Sequence, residues 1–563
     1  MAQRRFVGIM AAMLAFGSWV IGGVHGAEPT KLASSARFDV MADEAAGSID
    51  QALVIAGQGT ISRPNWLTEP AQGRTYTVSF PVSRLGWRSM TIAFTPARDG
   101  AVTLSLMGPW EEASKGVVYR QDIEWDDIQA TGGRLANGGF ESGGGLMGWE
   151  GERGKVVRAT HESPAHGGTS FARTWHNNPL SAKIAVQGGQ QVRIVLFARA
   201  ARPEDFREMP RVSGRDTPAH KALARFRRGA NLGNGLEVPP GQTWGEHYTP
   251  TDLRLIREQG FDHARIPAGW HHYTGPGPEF RIQPEFFTRV DTLVNAGLEQ
   301  GLSILINIHH FDDFTTNPKA QTPKFKALWD QIAAHYAHAP DGLAFELLNE
   351  PKDAATTEVM NQVVAETLPV IRRSNPRRTI FVGPGRWNSI GELPAFTLPG
   401  DDQNLIVTVH NYDPFYFTHQ SATWAGDDVN ALAGVVFPGP PKTPLTLDPR
   451  LKASANVLTW VKAYNTTPAA MNPSGPHAFQ GLFDQAQEWS LYYGRPIHLG
   501  EFGAFSAADP VSRAHYYQAV REAAEKAGFG WAIWDWKAGF RYWNQAESHP
   551  EPGLHEALMG PTK

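Results

Sequence analysis

Two glutamates, Glu350 and Glu501, each stand near the end of a short apolar run of strand length. The runs are LAFELLNE (343–350) and PIHLGEFG (496–503). A buried strand has no packing reason to finish in a carboxylate, although one charged residue at a strand end is often only its solvated edge. Two such carboxylates at one site could act as acid and as nucleophile or base, the pair that cleavage of a glycosidic bond requires.

Further polar and aromatic side chains stand at the ends of other strand-like runs. They are Arg265, His309, His310, Asn349, His410, Tyr412, Trp534 and Trp536. Agreement among so many strand ends indicates one shared site. Within that site Arg265 would keep Glu501 ionised, and a hydrogen bond from Tyr412 would help to hold it.

The elements that must position these residues form a repeated pattern after about residue 223. Apolar runs of strand length alternate with amphipathic helical segments, such as 251–260 and 285–301, which end at Gly. The eight candidate strands lie at 226–233, 262–267, 303–310, 343–350, 379–385, 405–412, 496–503 and 530–536. Eight strand–helix units predict an α/β fold, a (β/α)8 TIM barrel, with its chemistry at the carboxyl ends of the strands.

This stretch resembles glycoside hydrolase family 5, in its cellulase and mannanase branch. The matching pieces, in order, are RGANLGNGLE, ARIP, INIHH, LLNEP, VHNYDPFYFTHQ, LGEFG and the WAIW strand. The likeness extends from Arg228 to about Leu558. It implies a retaining mechanism in which Glu350 is the acid/base and Glu501 is the nucleophile.

The resemblance also implies roles for the residues around the two glutamates. Asn349 would hydrogen-bond the 2-hydroxyl of the sugar being cleaved, an interaction that strengthens in the transition state. His410 and Tyr412 would position the carboxylates. The floor around the scissile bond would consist of Arg265, His309 and His310.

Sugar contacts are implied further from the scissile bond. Trp534 would stack on the glycone ring, with Trp536 a weaker candidate because it could equally be a core residue. Asn234 and Glu237, at the end of the first strand, would contact neighbouring sugars.

The segment between the sixth and seventh strands, 418–495, is long, which departs from the simpler pattern of the family. Its Pro-rich middle, 435–450, predicts an ordered loop or lid that could shorten an open groove. Trp424, Phe415 and Phe417 are candidates for sugar platforms there.

The first 26 residues predict a secretory signal peptide, because Arg4 and Arg5 precede an apolar run that ends before Ala27. The expected location is therefore secreted or periplasmic. The 563 residues include no cysteine, which excludes disulfides and thiolate chemistry. A net charge of -4 gives no electrostatic reason to expect nucleic acid or an anionic membrane as a partner.

Residues 27–200 contain short β-type runs broken by Gly, Pro and Asn, which predict an all-β, jelly-roll-like sandwich. VYRQDIEWDDIQ and LANGGFESGGGLMGW resemble the closing and opening strands of carbohydrate-binding modules, in reversed order. Sugar binding and a purely structural spacer are both open for this region. The polar stretch 201–222 predicts a linker, and 223–563 is the predicted catalytic domain.

The leading hypothesis is an endo-acting β-1,4-glucanase that needs no cofactor and takes a β-linked polysaccharide as its partner. A β-mannanase or an exo-type β-glucosidase of the same family is the close alternative. A non-catalytic polysaccharide-binding protein is the alternative from a different class. A metal site at His309 and His310 is disfavoured, because adjacent strand residues point to opposite faces. The oligomeric state is not predicted.

Overall fold

The computed structural model describes residues 35–447 and 453–560, with gaps at 58, 65–66, 83–85, 111, 115–116, 119–121, 143–145, 152–154, 160–163, 202–206, 208, 211 and 213–215. The described residues form two compact units, one ending before residue 207 and one beginning there. The predicted signal peptide lies outside the described residues. None of the described helices has the length and apolar character needed to span a membrane.

The first unit consists of antiparallel sheets. Its strands are β1 (Ser35–Ala42), β2 (Ile49–Ala56), β3 (Thr60–Ser62), β4 (Thr75–Pro81), β5 (Arg88–Pro96), β6 (Gly100–Met107), β7 (Glu112–Ser114), β8 (Val117–Val118), β9 (Ile123–Thr131), β10 (Gly133–Arg134), β11 (Trp149–Glu150), β12 (Lys155–Arg158), β13 (Ser170–Thr174), β14 (Leu180–Val186) and β15 (Val192–Ala200). A one-turn helix spans Ala71–Arg74.

These strands form two main sheets around one apolar core, which confirms the predicted β-sandwich. One sheet has the order β10–β14–β6–β1–β4–β3 with β11 beside β14, and the other β12–β13–β9–β15–β5–β2; β7 and β8 pair separately. Buried and more exposed side chains alternate along β14, where Leu180, Ala182, Ile184 and Val186 are buried.

The second unit is built on eight parallel strands. They are β16 (Arg228–Asn231), β17 (His263–Ile266), β18 (Ser303–Asn307), β19 (Leu343–Glu346), β20 (Ile380–Val382), β21 (Leu405–His410), β22 (Ile497–Phe502) and β23 (Gly530–Ile533). Each strand pairs with the next, and β16 pairs with β23 to close the barrel. The predicted (β/α)8 barrel is therefore confirmed. A hairpin of β24 (Trp543–Asn544) and β25 (His549–Pro550) follows it.

The helices of the barrel unit span Pro218–Leu223, Pro250–Glu258, Pro284–Glu299, Asp312–Thr316, Pro318–His335, Thr357–Arg372, Phe415–Thr418, Asp427–Asn430, Ala455–Thr466, His477–Tyr493, Pro510–Ala527 and Leu554–Met559. Short 3₁₀ segments occupy Trp270–His272, Ile390–Ala395 and Ala469–Met471. Local chemistry sets the helix ends. The Asp509 side chain accepts the Ser512 N–H at the start of Pro510–Ala527, and Gly528 ends that helix in the left-handed conformation.

The stretch predicted as a linker, 201–222, ends in the helix Pro218–Leu223. Thr217 caps the helix, and Ala219, Ala222 and Leu223 are buried. They share an apolar cluster with Phe226, Leu305, Ala344, Phe381 and Ile406, residues at or near the beginnings of barrel strands. The residues 218–222 thus belong to the packed barrel unit, because alanines and a leucine in helical spacing supply an apolar face.

The Pro-rich segment between β21 and β22 is described as far as residue 447, and 435–447 contains neither helix nor strand. Its backbone is tied down by neighbouring side chains. Gln420 Oε1 accepts the Val435 N–H at 2.9 Å, and Ser512 Oγ accepts the Phe437 N–H at 3.0 Å. This part of the insertion is an ordered loop on the barrel.

Candidate active site

The barrel strands end sooner than the apolar runs, and part of the site lies in the segments beyond them. β19 ends at Glu346, so Glu350 lies four residues further on, with a left-handed φ of 46°. Glu501 lies within β22, and His410 is the last residue of β21. The side chains of Glu350, His410 and Glu501 are all buried at the carboxyl-terminal end of the barrel.

The two glutamates meet at His410. Its Nδ1 lies 2.9 Å from Glu350 Oε1 and 3.7 Å from Glu501 Oε2. One side-chain oxygen or nitrogen from each residue lies within 4.8 Å of the others. This spacing agrees with the roughly 5–5.5 Å between carboxyls in retaining glycosidases and falls below the roughly 6.5–9.5 Å of inverting ones.

Arg265 is the centre of a buried network that holds Glu501. Its guanidinium donates to Glu501 Oε1 at 2.8 Å, to Asn231 Oδ1 at 2.7 Å and to Asn349 Oδ1 at 2.7 Å. Another edge of the guanidinium makes a bidentate contact with Glu346. A planar fork of donors can satisfy all these acceptors at once, which a lysine ammonium could not.

Glu501 also accepts a hydrogen bond from the Tyr412 hydroxyl, which lies 2.9 Å from Oε2. Burial raises the pKa of Glu501 above its ordinary value, whereas His410, Arg265 and the Tyr412 hydrogen bond lower it. These partners stabilise the carboxylate form that a nucleophile needs.

Glu350 has different surroundings. Burial raises its pKa to about 7, although the charges of Lys352 and Arg265 lower it. A carboxyl with this pKa keeps its proton in mildly acidic solution and can deliver it to a leaving group. Burial thus raises the pKa of both carboxyls, and what distinguishes Glu501 is its hydrogen bonds from Arg265 and Tyr412, which favour the charged form.

Three buried side-chain nitrogens near the glutamates have no hydrogen-bond partner among the described residues, His410 Nε2 among them. The other two are the donors Asn349 Nδ2 and His309 Nε2. His309 Nδ1 lies 3.2 Å from Asn307 Nδ2, so Nδ1 accepts that bond and we place the ring proton on Nε2. Because buried polar groups are nearly always satisfied, these donors mark where a polyhydroxylated ligand could bind.

Trp534 follows β23 and is partly exposed. Its indole is nearly parallel to the His309 ring, with an interplanar angle of 4° and centroids 5.7 Å apart. A partly exposed indole beside the buried donors suits the stacking of a sugar ring. The position agrees with the role that the resemblance implies for Trp534.

Trp536 and Phe417 are core residues, which agrees with the core alternative left open for Trp536 and corrects Phe417 as a candidate sugar platform. Trp536 is fully buried, stacks on Trp543 at 5.4 Å and donates its indole N–H to Asp252. The strand ends at Ile533, so strand alternation does not place Trp534 and Trp536 on one side. Phe417 is also fully buried.

Trp424 and Phe415 are partly exposed and remain candidates for sugar platforms. Trp424 packs edge-to-face on Phe505, with ring centroids 4.6 Å apart. Phe415 stacks on His419 at 4.2 Å. Both rings are held by aromatic neighbours, which would keep them oriented for a ligand.

Glu237 serves its own loop, which corrects its assignment as a sugar contact. Its carboxylate accepts the backbone N–H groups of Asn234 and Gly235, the latter at 2.7 Å. The side chain is buried, and burial raises its pKa to about 8. Asn234, with a φ of 60°, has a partly exposed side chain and stays a candidate contact.

His309 and His310 differ sharply in exposure although they are adjacent. His309 is buried, whereas His310 is exposed and has a left-handed φ of 49°. Among the described residues, the group with ligand atoms close enough to hold a metal ion is Glu350, His410 and Glu501. There the Arg265 guanidinium already compensates Glu501. The expectation that no metal is required stays a prediction.

A cavity of about 570 Å³ lies at the opposite end of the barrel, beside the beginnings of β20 and β21. Two of the arginines that line it are already engaged. Arg372 makes a bidentate bond with Asp402, and Arg378 donates to the Leu343 carbonyl. Because barrel chemistry collects at the carboxyl ends of strands, we assign this cavity no catalytic role.

Sequence reasoning misses Asn231 and Glu346, which hold Arg265 from inside the barrel. Glu346 is fully buried in the middle of the run LAFELL. A usable signal was present, because an acidic residue in a buried strand requires a cationic partner. Asn231 donates to the Gly500 and Ile533 carbonyls, each at 3.0 Å, and so ties β16 to β22 and β23.

A (β/α)8 barrel with two unlike buried glutamates at its carboxyl end defines a glycoside hydrolase. The family model described as Cellulase (glycosyl hydrolase family 5) matches residues 228–539, more than half of the 563-residue chain. The chain belongs to glycosyl hydrolase family 5.

Known relatives agree with this family. Endoglucanase H of Acetivibrio thermocellus is 28% identical over 328 residues, which cover 58% of this chain and 31% of that protein. Endoglucanase 3 of Fibrobacter succinogenes is 27% identical over 343 residues, covering 57% and 51%. The chain therefore spans only about a third to a half of the length of these two relatives.

The barrel is also similar to solved structures. The endoglucanase Cel5A from Thermotoga maritima is 33% identical, with a TM-score of 0.53. The match covers 61% of this chain and 99% of that one. The likeness therefore extends over about three fifths of this chain and nearly the whole of that one.

Proposed function

We propose that this protein is a retaining endo-β-1,4-glucanase with Glu350 as acid/base and Glu501 as nucleophile. The observation that carries the proposal is the placement of two buried carboxyls, one oxygen of each lying within 4.8 Å of one oxygen of the other. Arg265 is hydrogen-bonded to Glu501 and not to Glu350. Short separation with unequal charge compensation suits double displacement.

In the first step Glu501 attacks C1 of the glycone while Glu350 gives its proton to the departing glycosidic oxygen. The bond between C1 and that oxygen breaks, an ester between C1 and Glu501 forms, and the aglycone leaves as an alcohol. Arg265 and Tyr412 keep the Glu501 carboxylate charged and aimed. Asn349 Nδ2 is available to the 2-hydroxyl.

In the second step Glu350, now a carboxylate, takes a proton from water as the water oxygen attacks C1. The ester to Glu501 breaks, and the sugar is released with its original anomeric configuration. Glu350 ends the cycle protonated and Glu501 ionised. The pKa of about 7 at Glu350 suits a group that must both give and take a proton.

The choice of β-1,4-glucan rests on relatives that are named endoglucanases. A β-mannanase is the second candidate, because Thermotoga maritima Cel5A is solved in complex with both cellobiose and mannotriose. Those two structures are each 32% identical to this chain, with TM-scores of 0.52 and 0.51. An exo-type β-glucosidase is the third, since the insertion after β21 could close one end of the cleft.

The test is product analysis on defined β-1,4-linked gluco- and manno-oligosaccharides with the full chain. We expect internal cleavage of the gluco-oligosaccharides. Cleavage of manno-oligosaccharides alone would make the protein a mannanase, and stepwise release of glucose would make it an exo-enzyme. If no oligosaccharide is cleaved by the folded protein, the enzyme proposal fails in favour of polysaccharide binding alone.

Export of the protein is part of the proposal, since polysaccharide lies outside the cell. It is supported by the pattern of residues 1–26. Amino-terminal sequencing of the protein recovered outside the cytoplasm should begin at Ala27. Recovery of the full-length chain from the cytoplasm only would contradict it.

A further inference from the structure

The turn that follows β20 has an unusual backbone. Arg386, Trp387 and Asn388 are consecutive, and all three have left-handed φ values, of 51°, 59° and 54°. Single residues, mostly Gly or Asn, adopt this conformation readily, but a run of three non-glycine residues is sterically costly. Such a backbone persists where surrounding contacts determine it, and these positions cluster at functional sites.

Two of those contacts reach the segment that carries Glu350. The Asn388 side-chain oxygen accepts the backbone N–H of Glu350 at 2.8 Å. The Trp387 N–H donates to the Pro351 carbonyl at 3.0 Å. Asn388 is completely buried, and its amide donates to the Pro384 carbonyl at 3.2 Å, which fixes the side chain in its orientation.

The chain makes room for this arrangement at Gly383. A β-carbon at that position would lie 2.0 Å from Asn388 Nδ2 and 2.8 Å from the Thr408 carbonyl oxygen, so any larger residue would push the amide aside and press on β21. On the other side of the turn, Ser389 forms a parallel bridge with His410. His410 in turn contacts the Glu350 carboxyl through Nδ1 at 2.9 Å.

The turn is therefore connected to Glu350 in two ways. Asn388 accepts the Glu350 backbone N–H, and Ser389 bridges to His410, which contacts the Glu350 carboxyl. We propose that Asn388 is a positioning residue for the acid/base Glu350, acting through the hydrogen bond from the Glu350 N–H to the Asn388 side-chain oxygen. The inference rests on the proposed function, because it presupposes that Glu350 transfers a proton.

The physical reason is that Glu350 itself sits in a left-handed conformation, at φ 46°, beyond the end of its strand. No ladder hydrogen bond from β19 fixes its backbone there, so Asn388 supplies the constraint. Proton transfer depends on the alignment of the carboxyl with the leaving oxygen. A small displacement should slow the proton-dependent step and leave nucleophilic attack by Glu501 intact.

The test compares two substrates that differ only in the leaving group. A dinitrophenyl β-cellobioside releases an acidic phenol that needs no proton, whereas an unactivated cello-oligosaccharide needs one. In Asn388→Gly, which tolerates the left-handed backbone, kcat/KM on the oligosaccharide should fall about tenfold to a hundredfold, part of the full general-acid contribution. The value on the dinitrophenyl substrate should stay within about threefold.

Two further variants make the test specific. Asn388→Asp keeps an acceptor oxygen for the Glu350 N–H and, when protonated, a donor for the Pro384 carbonyl. It should therefore retain most of the rate on the oligosaccharide, measured on the acid side of the pH optimum. Gly383→Ala should reproduce the loss by displacing the Asn388 amide, with every functional group still present. Asn375→Ala, which removes another buried asparagine of the barrel, should lower stability without changing the ratio between the two substrates.

Equal losses on both substrates in Asn388→Gly and Gly383→Ala would overturn the positioning role, as would failure of Asn388→Asp to restore the oligosaccharide rate. Glu350→Ala is assayed alongside. If Glu350→Ala itself shows no dependence on the leaving group, the proposed function fails. If the rate of Glu350→Ala depends on the leaving group and the rates of the Asn388 variants do not, only this inference fails.

Discussion

Glu350 and Glu501 are both buried carboxyls of one site, yet their immediate partners differ. Glu501 accepts hydrogen bonds from Arg265 and Tyr412, whereas the Glu350 carboxyl contacts His410, whose own pKa burial lowers. A neutral imidazole compensates a carboxylate less than a guanidinium does. The proposed roles of acid and nucleophile thus follow from which of the two carboxyls is hydrogen-bonded to the Arg265 guanidinium.

The first prediction concerns pH. Glu350 must carry a proton to act as the acid, and its pKa is raised to about 7, so kcat/KM on an oligosaccharide should fall as pH rises through about 7. An activated dinitrophenyl glycoside should not show that alkaline loss. Initial rates across the pH range check it. An identical alkaline limb on both substrates would assign the limb to another group.

The second prediction concerns the Arg265 network. Arg265→Met should lower the free energy of unfolding by about 3–5 kcal/mol, because it leaves the buried Glu346 carboxylate without its cation. Arg373→Met, which breaks an exposed pair with Asp330, should change it by only about 0–1 kcal/mol. Urea unfolding measures both. Equal effects would mean that the buried pair contributes no more than a surface pair.

At the scale of elements, the sequence predicts all eight barrel strands but not where they end. Leu347 and Leu348 are buried beyond the last residue of β19, so the apolar run continues after the strand has ended. An apolar run indicates which residues are buried. Residues just beyond a barrel strand can stay buried although they no longer form the hydrogen bonds of the sheet. Strand ends in sequence therefore mark the site correctly to within a few residues.

Contacts between side chains on different elements are harder to predict from the sequence. Glu501, Arg265 and Tyr412 can be expected to meet, because each stands near the carboxyl end of its own barrel strand and those ends lie at one face of the barrel. The hydrogen bond between Asn388 and Glu350 cannot be expected from the sequence, because it depends on a left-handed turn after β20 that has no glycine at those positions. Likewise, the loop around Glu237 turns its carboxylate inward, and spacing carries no sign of that.

The third prediction separates two tryptophans after β23. Trp536→Ala should destabilise the protein by about 3–5 kcal/mol, because it opens a cavity in a fully buried stack. Trp534→Ala should cost much less stability and instead raise KM for oligosaccharides, because that ring is partly exposed at the site. Thermal unfolding and kinetics distinguish them. The reverse pattern would move the sugar platform to Trp536.

At the scale of the whole molecule, each of the two units is stabilised by contacts within itself. The sandwich encloses a continuous apolar core, and the barrel closes on itself through β16 and β23. All of the site residues, from Asn231 to Trp534, lie inside the barrel unit. Whether the sandwich binds sugar stays a prediction.

The fourth prediction follows from that division. A chain that begins at residue 207, where the barrel unit starts, should hydrolyse soluble oligosaccharides within about threefold of the full chain. The reason is that the barrel and its site are complete there. A chain that begins at 224 loses the helix and should be less stable. Loss of turnover in a well-folded 207–563 chain would show that the sandwich takes part in catalysis.

The most direct test of the central claim is trapping of the covalent intermediate. A 2-deoxy-2-fluoro β-cellobioside with an activated leaving group should inactivate the enzyme, and mass spectrometry of peptides should place one sugar on Glu501. Unlabelled protein from a fully active preparation, or a label on any other residue, would contradict the assignment of Glu501 as the nucleophile.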